Sequence, residues 1–426
     1  MEIKEISGKP QLKRDVETGN EKQREAVDAI ITRVREEGDS ALRELTEIFD
    51  NVEMDELFVT KEEMEKAYEA FDPDHLASLR RAIVNIRDFH QRQVQQSWFV
   101  TKDDGTVLGQ KVTPFDSAGV YVPGGKAAYP STVMMNVIPA QTAGVQRIVM
   151  ATPPNEEGMI SPTVLVVAAE LGIDTILKAG GAQAIAALAF GTESVEAVDK
   201  IVGPGNVFVA LAKRAVYGWV DIDMIAGPSE IVVLADETAR AELVAADMLS
   251  QAEHDQMASS VLVTTSRELA EQTKEEIEAQ LVDLPKKDIA QASIKDHGVI
   301  YIADSMEEAV EAVNEIAPEH LEIITAYPYE IMGRIRHAGA IFLGPYSPEP
   351  LGDYFAGPNH VLPTNGTARF SSPLSVDDFV KKSSVISYSE QAFFRDADDV
   401  AAIARMEGLE AHARAVDARK KGEKVE

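Results

Sequence analysis

Apolar residues along the first hundred positions recur with the period of a helix. Val27, Ile30, Ile31 and Val34 share one face, Gly38 interrupts it, and Leu42, Leu45 and Ile48 resume it, which predicts two consecutive amphipathic helices. Thr60 and Glu63 form a capping-box pattern, and Leu76, Leu79, Ile83, Ile86 and Phe89 trace an apolar stripe along a later helix. From about Ser117 the texture changes. Short apolar runs at 119–122, 147–151, 175–177, 200–202 and 230–235 alternate with helical stretches, and a second series follows at 260–264, 299–302, 321–324 and 340–343. Strands buried on both faces read this way, so the pattern predicts βα units and parallel sheets. A last helix is expected over 396–420, where the basic end Arg419-Lys420-Lys421 suits the negative pole of a helix. The fold class is therefore α/β: two Rossmann-like lobes with mostly parallel sheets, a helical N-terminal segment and a C-terminal helical tail.

Composition narrows what such a fold can do. A chain of 426 residues exceeds one ordinary core, so two or more packed units are expected. There is no cysteine, which excludes disulfides, thiolate nucleophiles and sulfur ligands; any metal site must use nitrogen and oxygen. The 41 basic residues against 71 acidic ones leave a formal charge of −30, which repels nucleic acid and anionic membranes. So acidic a chain suggests a salt-rich cytoplasm, where ions screen self-repulsion. No apolar stretch approaches the ~20 residues of a bilayer crossing. The start, Met1-Glu2-Ile3-Lys4-Glu5, lacks a basic region followed by an apolar one, so a cytoplasmic location is expected.

Local context divides the eight histidines. His75, His90, His297 and His337 sit in or beside amphipathic helices and turns, as satisfied or solvated histidines commonly do. In Ser250-Gln251-Ala252-Glu253-His254, Gln251 and His254 stand three apart on one helical face, a metal pair or an ordinary surface pair. Pro318 ends a helix and delivers Glu319 and His320 at the start of a strand, where adjacent side chains can serve as general bases for two different protons. The loop 352–360 carries Asp353 and His360, which read as a site or as a turn cap and an exposed imidazole. His412, with Glu407 five residues earlier, reads alone as a surface histidine. The glycine turns at 123–125, 180–181 and 203–206 follow strands and precede helices; they suit a phosphate, but none has the G-x-G-x-x-G spacing.

Taken in order, Tyr121-Val122-Pro123-Gly124-Gly125-Lys126, Gly180-Gly181-Ala182-Gln183-Ala184, Lys200-Ile201-Val202-Gly203-Pro204-Gly205-Asn206, Ala226-Gly227-Pro228-Ser229-Glu230, Ser250-Gln251-Ala252-Glu253-His254, Ala317-Pro318-Glu319-His320-Leu321 and Gly352-Asp353-Tyr354 resemble the histidinol dehydrogenase family, from about Val27 to His412 without large insertions. The resemblance implies NAD-linked oxidation of L-histidinol through the aldehyde to L-histidine. It implies zinc on Gln251, His254, Asp353 and His412, an oxygen and nitrogen set consistent with the missing cysteines. In the family the histidine matching His412 reaches the partner subunit's metal, which implies a homodimer with shared sites. Tyr121, Gln183 and Asn206 match positions that contact NAD, and Ser229, His360 and Glu407 match positions around the substrate, where Gln251, His254, His320, Asp353 and His412 also lie. His320 would take the alcohol proton and Glu319 would deprotonate the water that attacks the aldehyde, with a hydride passing to NAD in each step. The implied domains are an N-terminal segment (1–25), a zinc and catalytic lobe (26–112 with 231–373), an NAD lobe (113–230) and a helical tail serving the partner's site (374–426).

Three alternatives stand beside this. A zinc- and NAD-dependent dehydrogenase of a sulfonated polyol would share the fold, and His360 and Glu407 argue for histidinol over it. A zinc hydrolase would use Glu319 on a metal-bound water without any nucleotide, which the long βα run opposes. A non-catalytic metal-binding module would leave Glu319 and His320 without a task.

Overall fold

The computed structural model describes residues 1–6, 19–124 and 128–420. The second half of the 123–125 turn, with Gly125 and Lys126, and the terminal Lys421 lie outside the described residues. The chain divides into two compact units, Met1–Val94 with Phe115–Phe379 and Gln95–Pro114 with Val380–Glu426.

The larger unit holds two all-parallel sheets. One has six strands in the order Glu2–Glu5, Val299–Ile302, Ser259–Thr264, Glu230–Ala235, His320–Ile324 and Ala340–Leu343. The other has five, in the order Ile176–Lys178, Arg147–Thr152, Ser117–Tyr121, Lys200–Val202 and Asp221–Ile222. Central strands such as Glu230–Ala235 and Ser117–Tyr121 are buried at every position, which is why they read as continuous apolar runs. The helices over 21–91 form as their periodicity predicts. Thr60 accepts from Glu63 N at 3.2 Å while Glu63 accepts from Thr60 N at 2.7 Å, and Val27, Ile31 and Val34 pack into the core of the five-stranded lobe. The leading strand Glu2–Glu5 was not foreseen: four residues with only Ile3 half-buried carry too little pattern.

The smaller unit contains an antiparallel sheet ordered Val380–Ser387, Val107–Pro114, Trp98–Thr101. The helix expected over 396–420 is two helices, Glu390–Met406 and Glu410–Lys420. The first starts earlier than expected because Ser389 caps it, accepting from Ala392 N at 3.1 Å.

The chain leaves the five-stranded lobe through residues 226–229 and enters the six-stranded sheet at Glu230. This junction brings the carboxyl end of one sheet, with its Gly203 turn, toward the amino end of strands Glu230–Ala235 and His320–Ile324.

Candidate functional site

A cavity of about 660 Å³ opens at that junction, with Gly203 and Asn206 from the five-stranded lobe and Gln251, Glu319, His320 and Asp353 from the other. Helix Ala241–Ala252 places Gln251 in its last turn, and His254 follows past its end. The short helix Glu349–Tyr354 sets Glu349 and Asp353 four residues apart on one face. The donor atoms of His254, Glu349 and Asp353 all lie within 4.8 Å of one another.

Gln251 is 0% exposed, and neither atom of its amide finds a hydrogen-bond partner among the described residues. Leaving such a group unsatisfied costs about 1–3 kcal/mol, a cost that coordination of an ion through its carbonyl oxygen would offset. A buried amide oxygen, an imidazole and carboxylates are a donor set that fits a divalent ion.

Glu319 and His320 are both buried beside this cluster. Glu319 Oε2 accepts from Glu230 N at 2.9 Å, and His320 Nδ1 donates to Glu230 O at 3.1 Å. With Nδ1 committed to a carbonyl, Nε2 is the ring position that exchanges its proton; it stands 3.6 Å from Asp353 Oδ1. Burial pushes the Glu319 carboxyl up to about 8. Burial opposes the charged form of His320, but the carboxylates of Glu319, Asp353 and Glu349 outweigh it and push the ring up to about 10. Burial raises Glu349 as well. It acts upward on Asp353 too, but the imidazoles of His320, His360 and His254 hold that carboxyl below its usual range. His360 fixes the loop by an Nδ1 contact of 3.0 Å with Asp353 O, and burial lowers its pKa. Ser229 lines the same cavity.

Of the residues expected to meet NAD, only Asn206 lines this cavity. Asn206 caps helix Val207–Val216, accepting from Phe208 N at 3.0 Å and Val209 N at 3.2 Å. Tyr121 reaches instead the start of helix Gly181–Phe190, where its hydroxyl accepts from Gly181 N at 3.0 Å, and Gln183 lies in the first turn of that helix, its buried Oε1 without a partner among the described residues. Glu407 and His412 are exposed residues of the smaller unit.

Three features escaped the sequence. Glu349 was legible in principle, four residues before Asp353. The Glu230 backbone was not, because a main-chain role leaves no residue-type signature. The third is a clamp on the Gly203 turn: Asp223 Oδ2 accepts from Gly203 N at 2.8 Å and Lys213 Nζ donates to Gly203 O at 2.9 Å. Lys213 and Asp223 also pair with each other, both almost wholly buried. Only glycine fits at this position, since its φ is +112° and a Cβ would stand 2.1 Å from Tyr121 O.

Fold and site together define a two-lobed α/β protein in which a cluster of side chains that could hold a metal ion faces a buried acid and imidazole. The chain matches the histidinol dehydrogenase family over residues 13–420. It is 63% identical over 424 residues to the histidinol dehydrogenase of Halalkalibacterium halodurans, covering 100% of both chains, and 63% identical over 423 residues to that of Bacillus subtilis, covering 99% of both. The crystal structure of histidinol dehydrogenase from Elizabethkingia anophelis matches it with a TM-score of 0.94 at 37% identity, over 99% of this chain and 98% of that one. The chain belongs to the histidinol dehydrogenase family. Membership does not favour the sulfonated polyol or the hydrolase alternative.

Proposed function

We propose that this protein oxidises L-histidinol to L-histidine through the aldehyde, with NAD as hydride acceptor and zinc on Gln251, His254 and Asp353. The observation that carries the reading is the buried Glu319–His320 pair, hung on the backbone of one residue beside that donor set. The fourth donor, His412, stands in the smaller unit and is exposed; the family pattern supplies it from a second copy of the chain, making the working form a homodimer with shared sites. Glu407 would come with it to the substrate.

When bound, zinc supplies a fixed charge that orients the substrate's nitrogen donors and engages Asp353, and NAD supplies the hydride acceptor. The side chains then divide the proton work. His320 Nε2, faced by Asp353, takes the alcohol proton as the first hydride leaves carbon; the carboxylates around it push the ring up to about 10, and a divalent ion held by Asp353 would weaken that pull. Glu319, poised at about 8 by burial, deprotonates the water that attacks the aldehyde carbon. Attack leaves the hydrate as its monoanion, which loses the second hydride and its one remaining hydroxyl proton to give the carboxylate of the product. No thiohemiacetal is available to a chain without cysteine.

Half-reactions test this division. Glu319→Gln should form one NADH per histidinol and stall at the aldehyde, while His320→Ala should slow both oxidations. Equal loss of both steps in Glu319→Gln would contradict it.

A further inference from the structure

Both bases depend on the backbone of Glu230, through its N–H to Glu319 and its carbonyl from His320. Glu230 is the first residue of its strand, directly after the irregular stretch 226–229, so the sheet alone does not set the direction of that backbone. Ser229 O accepts from Ser259 N at 3.0 Å and fixes one side. The side chain of Glu230 fixes the other. It is buried, and its Oε1 accepts from Asn365 N at 3.2 Å. Asn365 adopts a left-handed conformation with φ of +55°, followed by Gly366 at +69°, which asparagine and glycine accept readily in a tight turn. A second contact runs alongside: Thr364 Oγ1 accepts from Gly227 N at 2.7 Å, and a Cβ on Gly227 would stand 2.1 Å from Asn365 Nδ2. The turn at 364–366 is thus locked against the stretch that ends in Glu230.

We infer that Glu230 is a positioning residue for the Glu319–His320 pair, its carboxylate latching the backbone that carries both bases to the turn at Asn365. It does so without touching the substrate, and the inference rests on the proposed roles of Glu319 and His320. Gln251 and Asp353 come from helices, and His254 from the turn after the first of them, none of which the latch holds, so metal and substrate binding should survive its loss while proton transfer suffers. A misplacement of the order of 1 Å at reacting groups costs about 10²-fold in rate.

Steady-state kinetics on the full-length, zinc-loaded protein, with zinc content and Tm measured in parallel, test the latch. Glu230→Ala should lower kcat for histidinol about 10²-fold, with KM within about threefold and zinc content unchanged. Glu230→Gln keeps a carbonyl oxygen for Asn365 N–H and should recover kcat to within about fivefold of the parent, since a neutral acceptor replaces a charged one. Should Glu230→Ala fail to fold, Glu230→Asp, one methylene too short for the contact, should show an intermediate loss that again falls on kcat. Full kcat in the Ala or Asp variant, a loss confined to KM, or a Gln variant as damaged as Ala overturns the latch alone. A parent protein without histidinol-dependent NADH formation overturns the functional reading and the latch together.

Discussion

Gln251 sets the residue-scale problem most sharply: a fully buried amide with no partner for either polar atom among the described residues is a liability unless something binds it. Gln251→Leu should therefore have opposite effects in two conditions. With chelator, the variant should be at least as stable as the parent, by up to about 1–3 kcal/mol, because the unsatisfied amide is gone. With zinc the order should reverse, and metal affinity should fall by at least 10-fold, the scale on which even indirect partners of a metal act. Thermal unfolding with and without zinc reads both; a parent that gains nothing from zinc would refute the donor assignment. Gly203 tests the clamp. Gly203→Ala drives a methyl group into Tyr121 O at a left-handed φ and should cost about 1–3 kcal/mol, read by urea unfolding. His254, Asp353 and the Glu319–His320 tandem were legible as residue types in suggestive places and became a ligand and base set through family resemblance. Glu349 was overlooked because the reading of the loop began at Gly352, although the i, i+4 pair it makes with Asp353 lies in the sequence.

Strand His320–Ile324 shows how much one element can carry. All five residues are buried, and the third is Glu322, whose Oε1 accepts from Glu349 N at 2.8 Å. Burial first, then the neighbouring carboxyl of Asp247, pushes its pKa well above 4.5. The sign follows from linkage: between the unfolded value and the higher folded value the native state binds the extra proton, so stability falls as pH rises through that window. Glu322→Gln keeps the acceptor for Glu349 N and removes the titration. Its stability relative to the parent should rise from pH 5 to pH 9, and urea midpoints at the two pH values check this; a constant difference would contradict it. Elements buried on both faces were legible because parallel strands read as apolar runs. The antiparallel sheet of the smaller unit was not: Trp98–Thr101 is exposed throughout, and Val380–Ser387 is mostly exposed with two lysines and three serines. Neither offers the alternation that betrays a half-buried strand. The break between the last two helices escaped because the apolar positions on its two sides continue a helical spacing through Leu409.

At the scale of the molecule, α/β class and two lobes followed from the alternation of strand and helix patterns. What the pattern could not say was which end of each sheet bears the site. Ligands in open α/β sheets commonly sit at the carboxyl ends of strands. Here the Gly203 turn obeys that rule, while Glu230 and His320 stand at the amino ends of theirs, because the chain crosses between lobes at that edge. The net charge of −30 acts on the whole chain. Screening shortens from about 10 Å at 0.1 M salt to about 3 Å at 1 M, so Tm should climb over that range; a flat profile would end the salt-rich reading. The central claim, that one divalent ion and the Glu319–His320 pair together carry a two-step oxidation, meets its most direct test in the stoichiometry of NADH formed per histidinol before chelation, after it, and after zinc is restored. The account predicts two NADH per histidinol, loss of activity in chelator and recovery with zinc. Undiminished turnover in protein shown to be free of metal would contradict it.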